Sequence, residues 1–486
     1  MGEIDDRTLG PKSDQSKATR SNSPDSQVYK SSPGDSNESS KTSQERGKYI
    51  NSLNVCVFVA YFMSSASVAV PVALITTVSN DLMAEGDSAA SFSARVAAWA
   101  VAGTSLGKAI NGFVGDSCGA RRTMAFSFIF QALALFLFSI GNDATSIGVA
   151  NFLLEYFNSV HWPCQTIVLS VHYRGDKEKL EAGVMVLGLS SRAGALLGIP
   201  LFSLLNGSLG WRSVALWGMV IPLFGFVVVM VFISDAPSKR FDPQGKGLSF
   251  RGILDSLREV LSSKLFWLIA FAQSGNSLVR TSERILGGFF SETAGVDDDK
   301  AGGLTAVLSG GLLAGVLIFG GIFIKRNWEE KRKLVMWLYV GCGFGTLMLG
   351  VISLPMVADR FGDSVKLGME LALVFFYAMC VGVQYYNIPS LLASTFGENK
   401  GLCSAYIDGV AYICTSFFWT GFSRIVNSGD YGWFCGWGLL IVIIVGASLS
   451  MDRFMVKFWA ERWGVETKGD SEAEKMLLPE EGKTAV

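Results

Sequence analysis

Apolar runs long enough to cross a bilayer recur from near Leu53 to Phe458, and they constrain this chain more than any other feature. Such a run crosses the hydrocarbon core as a helix, because lipid offers the backbone no hydrogen-bond partner. The runs fall at 51–78, 94–114, 123–141, 145–171, 181–205, 212–233, 263–290, 302–324, 333–356, 367–393, 401–426 and 433–456. Half of all residues are apolar and only 17% are charged, a balance foreign to soluble domains. The charged stretch 234–262, which begins Asp235-Ala236-Pro237, divides the runs six and six. The expected fold is an all-α integral membrane protein with twelve transmembrane helices in two six-helix halves, 49–233 and 263–460. Residues 1–48 are Ser/Asp/Lys-rich and read as a disordered tail, 234–262 as a central loop, and 461–486 as a second charged tail.

Lysine and arginine in short loops set the orientation. Arg121/Arg122, Arg174/Lys177/Lys179, Lys239/Arg240 and Lys325 to Lys333 share one side with both tails. Asp81/Glu85/Asp87, Asp143 and Asp297 to Asp299 lie on the other. Both termini are therefore expected in the cytosol, whether the membrane is the plasma membrane or an internal one. A net charge of −1 points to no nucleic-acid partner. The eight cysteines lack paired spacing and read as small buried hydrophobes, and His161 and His172 are too far apart for a metal centre. No cofactor, metal or enzymatic motif is expected. The sequon Asn206-Gly207-Ser208 falls too close to a helix end to favour glycosylation.

Ionisable residues inside apolar runs are costly unless they line a cavity or find a partner. Lys108 sits in the second run and either snorkels toward the interface near Asp116 or faces a cavity. Arg192 lies deep in the fifth run among Gly188, Gly194 and Gly198. It is either bonded to a neighbour's carbonyl or part of a site. In the seventh run Gln273, Asn276, Arg280, Glu283 and Arg284 share one helical face, as a polar lining would. Glu283 could steady Arg280, or pair with Arg284 as a gate. The fourth run holds Glu155, Asn158 and His161 before the helix-breaking Pro163. His161 could titrate near neutral pH. Tyr61 in the first run and Tyr385 in the tenth offer hydroxyls, and Asp408 in the eleventh reads as a gate or cap.

Lys108 and Arg192 belong to one half and Arg280 to the other, so the cations would meet across a central cavity. Buried cations demand counter-charge. A mobile small anion could supply it, and an arginine fork suits phosphate or carboxylate. Alternatively Glu155, Glu283 or Asp408 neutralises them permanently and the solute is neutral.

The loop Gly112-x-x-x-Asp116-x-x-Gly119-x-Arg121-Arg122 resembles the helix-two to helix-three loop of the major facilitator superfamily, with Ser117 where a basic residue is usual. After Gly321 the matching loop carries Lys325 and Arg326 in place of an acid. More narrowly, Gly107-Lys108 through Asp116, FLLEYFNSVHWPCQTIV at 152–168, Gly210-Trp211-Arg212 and Leu278-Val279-Arg280 resemble the organophosphate:phosphate antiporters. That resemblance implies a monomeric rocker-switch exchanger of a phosphorylated metabolite against inorganic phosphate. Arg280 would bind the phosphoryl group and Lys108 would be the helix-two lysine. Met63 and Ser191 stand where that family has an arginine and a histidine, and Arg192 adjoins the second gap. The alternatives are a proton-driven symporter or exporter of a sugar, carboxylate or other small solute, and a transporter-like nutrient sensor.

Overall fold

The computed structural model describes residues 36–83, 88–173, 177–234, 257–358, 360–393 and 400–463. Residues 1–35, most of the expected central loop and the second tail lie outside the described residues. Those described are helical with short connections. The helices used below are α1 (Ser36–Leu82), α2 (Ala89–Cys118), α3 (Ala120–Ile140), α4 (Ala144–Asn158), α5 (His161–His172), α6 (Lys177–Leu209), α7 (Trp211–Gly218) and α8 (Val220–Phe232). They continue as α9 (Lys264–Thr281), α10 (Glu283–Ala294), α11 (Asp298–Leu304), α12 (Ala306–Lys325), α13 (Trp328–Ile352), α14 (Asp363–Tyr386), α15 (Ile388–Ala393), α16 (Lys400–Val426) and α17 (Gly432–Trp463). α1 begins upstream of the first apolar run, so residues 36–48 are helical where composition alone reads disorder. Propagating a helix beyond an existing one adds a hydrogen bond per residue fixed, and polar residues can follow it.

Among the described residues, eight helical stretches are long and apolar enough to span a bilayer: Leu53–Leu82, Ala120–Ile140, Val186–Leu209, Trp211–Phe232, Asp298–Lys325, Trp328–Ile352, Asp363–Tyr386 and Gly432–Ala460. The other four apolar runs of the sequence are helical too, but they carry ionisable residues (α2 and α16) or break midway (α4–α5 and α9–α10). These four hold Lys108, Glu155, Arg280 and Asp408, and α1 and α6 among the apolar spans add Tyr61, Ser191 and Arg192. Phe126, Leu197, Trp217, Trp337 and Phe417 stand exposed on the helix surfaces, as side chains facing lipid do. Cys118, Cys414 and Cys435 are exposed as well, a correction to reading every cysteine as buried: where the solvent is lipid, an apolar run has an outer face that needs no burial.

The buried core is divided along the chain. Two clusters draw almost wholly on α1–α8, and one draws on α9–α17 together with the first turns of α2. α2 packs along α16, and α11 and α12 pack on α6. Where N-terminal and C-terminal helices meet near the Asp81 and Asp297 loops, glycine allows very close approach. A methyl group at Gly302 would overlap the Ala73 carbonyl, and one at Gly287 would overlap Thr76 Oγ1. The same acidic-loop end is tied by Glu292, which accepts from Ala90 N–H in the first turn of α2 at 2.9 Å and from Trp433 Nε1 at 2.9 Å. Asn80 also bonds Asp298, and Ser203 Oγ bonds the Asp299 carbonyl.

Candidate functional site

Two helix breaks position the site. α4 stops at Asn158 and α5 starts at His161, because Pro163 has no N–H to give Ser159 and crowds that turn. Val160 N–H turns to the Phe157 carbonyl, and the released Tyr156 carbonyl accepts from Asn111 Nδ2 of α2 at 2.8 Å. Asn158 and His161, three residues apart across the break, meet different partners. Asn158 goes to the cavity and His161 goes to α3. The second break is at Ser282, whose hydroxyl meets Tyr377 Oη at 2.6 Å between α9 and α10. Glu283 and Arg284 beyond it line the same cavity as Arg280 before it, as their shared helical face predicts.

The cavity between these breaks is lined by Tyr61, Ser65, Asn158, Ser191 and Tyr412, and by five ionisable groups: Glu155, Arg192, Arg280, Glu283 and Arg284. It encloses about 40 Å³. That admits water, whereas ligand pockets typically run to roughly 300–1,000 Å³. A solute enters only if the helices move apart.

Each ionisable group except Arg280 meets an opposite charge. Arg284 Nη2 pairs with Glu155 Oε1 from another helix. Glu155 Oε2 also accepts from Thr104 Oγ1 at 3.1 Å and from Asn158 Nδ2 at 3.1 Å. Arg192 Nη1 lies 4.0 Å from Glu283 Oε2, which Ser309 Oγ also reaches at 3.1 Å. Arg192 reaches Ser191 Oγ at 3.4 Å, and Ser191 meets Ser65 Oγ at 3.2 Å. Arg280 has no carboxylate within ion-pair distance among the described residues. Its Nη1 donates to Tyr385 Oη at 2.8 Å, and its guanidinium lies 5.1 Å and 5.8 Å from the Tyr385 and Tyr412 ring centres. The Tyr385 and Tyr412 hydroxyls hydrogen-bond to each other at 2.7 Å. Three arginines thus face two glutamates, and the lining carries one surplus positive charge, centred on Arg280.

Lys108 lies off this lining. It pairs with Asp408 of α16, and Asp408 Oδ1 also accepts from Gln273 Nε2 at 3.1 Å. The pair and the Gln273 bond tie α2 to α16 and α9. Tyr61 lines the cavity as expected, and Tyr385 stands behind Arg280. Two expected site residues face elsewhere. His161 is fully buried, bonded to Ser127 Oγ at 2.9 Å and Gln131 Nε2 at 3.0 Å and packed on Phe128. Asn276 accepts from Tyr339 Oη at 2.9 Å and reaches Gln273 at 3.3 Å, which places it in the core of the C-terminal helices. Of the loop residues, Arg121 donates to the Met230 carbonyl at 2.5 Å, capping the last turn of α8, and Arg122 is exposed. Asp116 lies in the last turn of α2, with its side chain outside the described residues. Sequence reading missed Thr104 and Glu292, because short polar or loop-end residues carry no signal until their partners are known. Asn206 is buried and donates to Thr77 Oγ1 at 2.8 Å, which agrees with an unmodified sequon.

Comparison with known proteins gives a family and a set of solved structures. The model described as Major Facilitator Superfamily matches residues 56–419. No curated protein matches the chain. The xylose transporter XylE from E. coli, in a partially occluded inward-open conformation, is 13% identical with a TM-score of 0.64, covering 84% of this chain and 98% of that one. A mutant of the nucleoside transporter NupG is 11% identical with a TM-score of 0.62, covering 84% and 100%. A bacterial homologue of the human lysosomal transporter Spinster is 13% identical with a TM-score of 0.59, covering 85% and 98%.

Proposed function

Because this chain belongs to the Major Facilitator Superfamily, a family of secondary transporters, we propose that it is a proton-coupled carrier of a small polar solute of the sugar or nucleoside class. The protein is a multi-pass membrane transporter and not an enzyme. The observation that carries the solute class is the built-in counter-charge. Glu155, Glu283 and Asp408 answer Arg284, Arg192 and Lys108, so three of the four cations need no mobile anion. The hydroxyls and rings of Tyr61 and Tyr412 suit a hydroxyl-bearing ring. Sugar and nucleoside carriers among the solved structures of like fold agree with this reading. It replaces the phosphate antiport implied by local motifs, whose cationic site is here largely neutralised.

The proposed architecture is twelve membrane segments in two halves that rock about the cavity, supported by the divided core and the four polar helices between the spans. Both termini are assigned to the cytosol on the loop charges, and a monomer suffices. One observation favours a second reading. Arg280 lacks a carboxylate, so a singly charged organic anion, phosphorylated or carboxylic, would balance the cavity.

Purified full-length protein in proteoliposomes separates the two. With an inward proton gradient, labelled D-xylose or uridine should accumulate and collapse with a protonophore. Uptake of glycerol-3-phosphate that requires internal phosphate and ignores the proton gradient would overturn the neutral-solute reading and establish the second.

A further inference from the structure

One buried carboxyl takes no part in the cavity. Glu370 lies on α14, two turns from its start, and is fully buried. Its Oε1 accepts from Thr293 Oγ1 in the last turn of α10 at 2.9 Å, and its Oε2 has no hydrogen-bond partner. Lys366, one turn earlier and also buried, turns its Nζ to the Thr293 backbone carbonyl. Lysine and threonine thereby clasp the ends of α14 and α10 together around Glu370.

The surroundings leave few charges to answer it. α14 packs against α9, α10, α12 and α13. On α10, Glu292 is taken by Ala90 N–H and Trp433 Nε1. On the adjoining α11, Asp298 is held by Ser291 and Asn80. On α9 and α13, Asn276 and Tyr339 bond each other, and on α14 itself Tyr377 bonds Ser282. α12 sends Ser309 to Glu283 at the cavity. Lys366 is the charged group that faces Glu370 among the described residues, and its ammonium is committed to a carbonyl. An ionised carboxylate seeks several donors and suffers when buried with an empty oxygen, whereas the neutral acid loses far less.

We propose that Glu370 is a proton-binding site, a carboxylic acid while α10 and α14 are clasped and a carboxylate once their acidic-loop ends part. Parting frees Lys366 from Thr293 and admits water. The Glu370 O–H bond then breaks, its proton passes to water, and Lys366 and solvent stabilise the anion. Closing reverses each step. The number of bound protons thus changes with conformation, so the pH on the acidic-loop side weights the clasped state against the parted one. The inference rests on the proton-coupled reading above, but its first test needs no solute.

That test is infrared difference spectroscopy of the full-length protein in detergent, titrated with acid and base. A protonated-carboxyl band present at neutral pH in the wild type and absent in Glu370→Gln is expected. Superimposable spectra from the two would overturn the proposal. If Glu370→Gln does not fold, Lys366→Met decides: removal of the facing cation should carry the band to higher pH, and an unmoved band would overturn the assignment. In proteoliposomes that accumulate D-xylose or uridine, Glu370→Gln should keep equilibrium exchange and flatten the dependence of its rate on acidic-loop-side pH by tenfold or more. An unchanged pH dependence would refute the assignment. If the wild type carries neither probe, the solute assignment fails and the infrared result still decides the proton site.

Discussion

At Arg280 the guanidinium is held by hydroxyls and aromatic rings, while Arg192 and Arg284 nearby face carboxylates. The difference decides how each responds to mutation. Arg280→Lys keeps the charge and loses the planar fork, so solute uptake should fall about tenfold to a hundredfold, the scale of one charged hydrogen bond. Initial-rate uptake in proteoliposomes checks it. Glu155→Gln leaves Arg284 buried without its counter-charge and should lower stability by about 3–5 kcal/mol. Adding Arg284→Met should recover most of that loss in thermal unfolding, since the two residues form one unit. Lys108, Arg192 and Arg280 were legible in the sequence because a cation in an apolar run announces itself. Their partners were not. Glu155 meets Arg284 across a separation of 129 residues, and no local pattern encodes that distance.

Among the helices, the break at Pro163 was legible and its consequence was not. Asn158 reaches Glu155 at the cavity while His161 reaches Ser127 and Gln131 of α3, a division that only the packed helices reveal. The break at Ser282 has no proline to betray it, and its hydroxyl meets Tyr377 across the bundle. At the start of α4, Asp143 accepts from the N–H groups of Thr145 and Ser146 at 2.8 Å and 2.9 Å. Those donors hold its carboxyl below the usual aspartate range. A depressed folded-state value means the cap stabilises fully above the unfolded aspartate range and fades as pH falls through the folded one. Asp143→Ala should therefore lower the unfolding temperature at neutral pH and narrow its difference from wild type in strong acid. Asp143→Asn, which keeps an accepting oxygen, should stay close to wild type.

For the whole molecule, closure at the acidic-loop end depends on backbones in contact. Gly302→Val would drive a side chain into the Ala73 carbonyl on α1. The expected result is a protein that reaches the membrane but transports at least tenfold more slowly, because the closed arrangement is strained. Normal turnover in the folded variant would show that this contact is dispensable. Composition and hydropathy by themselves determined that the chain is helical and lives in lipid, since an unpaired backbone has no alternative there. They also determined which runs would carry ionisable residues. Only the tertiary structure decided that those residues neutralise one another, that Arg280 alone among the cavity's arginines lacks a carboxylate, and that His161 belongs to the core. The physical reason is range: hydropathy and helix breaking are local properties of the chain, whereas ion pairs form between residues that become neighbours only after the helices pack.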